Sequence, residues 1–155
     1  GEGMVLDTVM YTVHTAFAAL WAGSVLFVVA AVLPLAMSGD LSPAAFGSVV
    51  SKLRWVTRIS ALLLFATGGH LAGTQYTVGT LTGTTNGYLV IAMLTLWLGL
   101  AAVVEIGSAK ASRGIENDKI REPARAARQF YLLGAVLAVG LLTVAGLLGT
   151  PEPIL

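Results

Sequence analysis

The sequence predicts an all-α integral membrane protein, a four-helix bundle of antiparallel up-and-down helices that occupies residues 1–155 as a single transmembrane domain. Three observations lead there. Hydrophobic residues make up 56% of the chain and charged residues 11%, against about 45–50% and about 25% in ordinary soluble domains. The charges are missing from long continuous runs rather than thinned evenly. The nine Lys and Arg residues fall in only two places.

The elements follow in order. Residues 8–37 carry no charge and as a helix would be about 45 Å long, more than a hydrocarbon core of about 30 Å requires. The first helix, about 8–37, therefore tilts, or Pro34 ends it near the far interface. The second, about 43–74, starts where Ser42 offers an N-cap and Pro43 a first helical residue, and its uncharged run is 59–74. The third, about 87–109, is interrupted only by Glu105. The fourth, about 122–149, begins at Glu122 and Pro123 and ends at a stop formed by Gly149, Thr150 and Pro151. Residues 75–86 read as a Thr/Gly-rich polar connection and 110–121 as a charged loop. The first run reads as a retained helix rather than a signal peptide, since no base precedes it and it is about twice the usual 7–15 apolar residues. Gly1, Glu2 and Gly3 read as a remnant ahead of Met4. Four spans leave no room for a separate soluble catalytic domain.

Orientation follows from the bases. Lys52, Arg54 and Arg58 surround the first connection, and Lys110, Arg113, Lys119, Arg121, Arg125 and Arg128 the third. The positive-inside rule makes both connections cytoplasmic, so both termini and the 75–86 connection are expected outside a cytoplasmic (inner) membrane. Tyr11, Tyr76 and Tyr88 then fall at the outer interface, Trp55 and Tyr131 at the inner one. A net charge of +1 recruits no nucleic acid. The absence of cysteine excludes disulfides, iron–sulfur clusters, thiolate zinc sites and cysteine nucleophiles.

Chemistry concentrates in the two histidines, since a polar group within a membrane needs a partner or a function. His14, on helix one, and His70, on helix two, are both expected roughly 6–9 Å below the outer boundary. Met93 on helix three shares that depth, and Met10 lies one turn above His14. A shared site for copper is one reading, because two imidazoles with a thioether suit copper and not magnesium or calcium. Axial ligation of a haem b by His14 and His70 is another. The plain alternative is interhelical hydrogen bonding to Thr67, Thr95 or Thr143. Glu105, near the cytoplasmic end of helix three, is expected to pair with Arg58 at the same depth. No catalytic residue is assigned.

Two resemblances bear on this choice. His14, Trp21 and Gly23 stand in the spacing H-x6-W-x-G, which resembles the opening helix of the copper resistance D (CopD) family. Phe46, the bases Arg54 and Arg58, and the apolar run 62–66 closing on Thr67 and Gly68 are similar to that family's second helix. The likeness covers about residues 11–73. It implies a multi-helix inner-membrane protein of copper uptake or tolerance. The expected partners are the lipid bilayer and an extracytoplasmic copper or redox protein. HemJ-type protoporphyrinogen oxidases also open with His, Trp and Gly, but their spacing differs by one residue and their Arg-rich continuation is not matched here. Copper handling is therefore the first expectation. A bis-His haem b electron-transfer protein and a structural membrane subunit without metal are the alternatives.

Overall fold

Away from water, a backbone must satisfy its own N–H and C=O groups, and a single apolar segment does so only as a helix. A computed structural model of the chain, describing residues 1–149, is helical along nearly its whole length. The order is α1 (Glu2–Phe27), a π-helical turn (Val28–Val32), α2 (Leu33–Ser38), α3 (Pro43–Gln75), α4 (Val78–Gly83), α5 (Thr85–Ile115) and α6 (Arg121–Leu148), with no strand among the described residues. The expected stop at Thr150 and Pro151 lies outside them. Three stretches, Glu2–Ser38, Thr85–Ile115 and Arg121–Leu148, are long and apolar enough to cross a membrane. α3 is as long, at 33 residues, but Lys52, Arg54, Arg58 and His70 dilute it and it is not among them.

Several boundaries differ from the sequence reading for local reasons. Pro34 does not end the first helix. Proline has no N–H to return to the carbonyl four residues back, and the wider π turn directly before it absorbs the mismatch. Pro34 sits in the first turn of α2, and the rod continues to Ser38. Gly39, at φ 80°, stops it, with the Asp40 N–H donating to the Leu35 carbonyl at 2.9 Å, as left-handed helix ends do. The start of α3 is as expected, the Ser42 hydroxyl accepting from the Ala45 N–H at 3.1 Å. The 75–86 connection is not irregular throughout. Thr77 and Thr80 cap each other's backbone to form α4, and Thr84 accepts from the Gly87 N–H to start α5 earlier than residue 87. α5 also outlasts residue 109, running through Lys110 and Arg113 to Ile115, which shortens the charged loop.

Successive rods pack against one another: α1 on α3, α3 on α5, α5 on α6, and α6 back on α1. Trp21, Phe46, Leu100 and Tyr131 fill the interior between them. Ser108 and Tyr131 share a buried hydrogen bond of 2.8 Å between α5 and α6. Those two helices approach closely because glycines line the crossing: a Cβ at Gly107 would lie 3.0 Å from the Cβ of Phe130, and one at Gly114 2.8 Å from that of Pro123. Outward positions are apolar too, among them Phe27, Leu62, Phe65 and Val136.

Candidate functional site: a polar seam between α1 and α3

Asp7, His14 and Trp21 recur every seven residues, so they lie on one face of α1. Thr57, Ser60, Thr67 and His70 recur at helical intervals on α3. Antiparallel packing sets the two rows against each other. His70 Nε2 lies 3.0 Å from Asp7 Oδ1, His14 Nδ1 lies 2.9 Å from Thr67 Oγ1, and the Trp21 indole N–H donates to Thr57 Oγ1 at 3.1 Å. As residue numbers rise along α1 they fall along α3, which fixes the antiparallel register.

These bonds fit one placement of the protons on neutral imidazoles. The Thr67 hydroxyl donates its one proton to the Leu63 carbonyl at 2.7 Å, so toward His14 its oxygen accepts. His14 therefore holds its proton on Nδ1, and Nε2 keeps a bare lone pair. An ionised carboxylate only accepts, so His70 donates from Nε2 to Asp7, and in the neutral ring Nδ1 is bare. Both rings are half-buried. His14 also leans on the backbone of α3: a Cβ at Gly68 would come within 3.2 Å of His14 Cε1.

The two expected ligands thus share a seam, although not one level. Thr67, the partner of His14, lies three residues before His70 on α3, a rise of about 4.5 Å. Met10 is half-buried on α1 and Met93 on α5; among the described residues neither thioether is hydrogen-bonded to an imidazole. No three His, Cys, Asp or Glu side chains among the described residues are grouped as a metal site. Of the three threonines offered as partners, Thr67 alone meets a histidine, while Thr95 and Thr143 bond back to the carbonyls of Ile91 and Val139 on their own helices.

At the other end, Glu105 joins α5 to α3. Arg58 donates to its two oxygens at 2.8 and 3.1 Å, the pair expected from sequence. Arg54 adds a further bond at 3.3 Å. Sequence reasoning missed Arg54 and, more consequentially, Asp7. The signal for Asp7 was present in its seven-residue spacing from His14. The chain matches no family model, no curated protein and no solved structure.

Proposed function

We propose that this is a multi-pass protein of the cytoplasmic membrane that binds copper near the outer face through His14 and His70. The observation that supports this reading is the pair of hydrogen bonds to Thr67 and Asp7, each of which uses one ring nitrogen and leaves the other bare when the ring is neutral. Metal-ligating histidines characteristically give their other N–H to a carboxylate or another oxygen, which fixes tautomer and orientation. Asp7 and Thr67 would play that part here. On this reading α3 is the fourth span, its polar residues turned to the seam and to Glu105, and the two groups of bases hold the first and third connections inside, with both termini outside.

The donors fit a small soft or borderline ion. Two neutral imidazoles could be joined by the thioether of Met10 or Met93, a set that favours copper. Haem fits less well, because the His14 ring rests on the Gly68 backbone, where a macrocycle would need room. A second reading, a structural subunit without metal, is favoured by the same two bonds, since each imidazole already meets a neighbouring helix.

Titration of the metal-free purified protein with Cu(I) against a competing chromophoric chelator separates these readings. About one copper per chain is expected, with marked weakening in His14→Ala and in His70→Ala. A stoichiometric Soret band from protein made without added cofactor would establish the haem alternative instead. Binding of neither leaves the structural reading.

A further inference from the structure

A groove of about 340 Å³ opens between α1 and α3 on the outside of the bundle, within the range of about 300–1,000 Å³ typical of ligand clefts. Its walls are Phe17 and Leu20 from α1 and Val56 and Ile59 from α3, with fully buried Ser60 also lining it. The Ser60 hydroxyl has no hydrogen-bond partner among the described residues. At the end that the membrane reading above puts inside stand Lys52 and Trp55.

Charge decides what the groove would hold. Of the three bases on α3, Arg54 and Arg58 are committed to Glu105, whereas Lys52 is exposed and has no acid or hydrogen-bond partner among the described residues. Trp55, 59% exposed, lies beside it with the Arg58 guanidinium 6.0 Å from its ring. A tryptophan next to a lysine at the inner end of a span is the arrangement that meets lipid headgroups. The groove leading away from them is lined by carbon, suited to a hydrocarbon chain.

We infer that this groove is a binding site for an anionic phospholipid, its phosphate at Lys52 and one acyl chain along Phe17, Leu20, Val56 and Ile59. The inference rests on the membrane reading above but not on copper. A zwitterionic lipid offers the same chain with its phosphate charge offset by an ammonium, so the site should discriminate by headgroup.

The test is native mass spectrometry of the full chain, extracted in detergent and equilibrated with phosphatidylglycerol or phosphatidylcholine. Wild-type protein should retain phosphatidylglycerol preferentially. Lys52→Gln should lower that retention about fivefold, the order expected of one lysine near an anionic surface, and Lys52→Arg should preserve it. Ile59→Trp, which fills the groove without changing charge, should lower it as well, while Lys119→Gln in the cytoplasmic loop should not. Circular dichroism and unfolding temperature in phosphatidylcholine establish that each variant is folded. Equal retention of the two lipids, unchanged retention in both Lys52→Gln and Ile59→Trp, or a wild-type dimer that closes the groove against lipid would overturn the site while leaving the membrane reading intact. Recovery of the chain in the soluble fraction would overturn both.

Discussion

Thr67 serves two partners with one hydroxyl, donating to Leu63 and accepting from His14. Thr67→Val keeps the shape and removes both functions, leaving the His14 Nδ1–H without its acceptor. The expected loss is about 1–3 kcal/mol of stability, read by thermal unfolding, with Thr67→Ser close to wild type. On the copper reading Thr67→Val also frees the tautomer of His14 and should weaken Cu(I) binding. Asp7 is the sharper case, because it would touch no metal and would act only by orienting His70. Asp7→Ala should therefore weaken Cu(I) binding about 10–100-fold while His70 is still present. An unchanged affinity would mean that the Asp7–His70 bond serves helix packing alone. Neither pairing could be read from composition. Both histidines could be marked as needing partners, but choosing Thr67 over Thr95 and Thr143 requires the register of α1 on α3, which no local pattern encodes.

Helix starts were legible where the chemistry is local. Ser42 and Pro43 announce α3, and the cap forms as expected. Helix ends were less so, because a charged or polar run outside a membrane is as compatible with helix as with loop, and α5 simply continues through Lys110 and Arg113. Of the two outcomes open at Pro34, it does not end the rod, which reaches Ser38, close to the expected residue 37: proline bars an ordinary α turn, but a π turn ahead of it lets the rod continue. The close crossing of α5 on α6 gives a direct test at this scale. In Gly107→Ala the new methyl group meets both the Phe130 Cβ and the Tyr131 ring at 3.0 Å, and these neighbours must give by a few tenths of an ångström, at an expected cost of about 1–3 kcal/mol. Gly23→Ala has nothing within 4 Å and should be neutral or slightly stabilising, since alanine is the better helix former. Equal unfolding temperatures for the two variants would argue against the tight crossing.

For the whole molecule, the long uncharged runs were enough to read an all-helical chain with long apolar rods, since an apolar segment can satisfy its own backbone only as a helix. α3 is harder to read, because Arg54 and Arg58 count against it as a span and their pairing with Glu105 on the neighbouring helix is a matter of tertiary packing. Orientation rests on the partition of bases, and everything said of an outer site depends on it. The chain contains no cysteine, so a single engineered one reports its own surroundings. Gly83 is exposed, with open space around a new side chain, and lies in the connection expected outside. Gly114 would be a poor inner probe because Pro123 closes against it, whereas Asn117 is exposed in the shortened charged loop. A membrane-impermeant maleimide applied to sealed, right-side-out spheroplasts should label Gly83→Cys at once and Asn117→Cys only after lysis. The opposite pattern would invert the bundle and place the histidine seam at the cytoplasmic face. Labelling of both before lysis would remove α5 from the membrane, and with it the four-span reading.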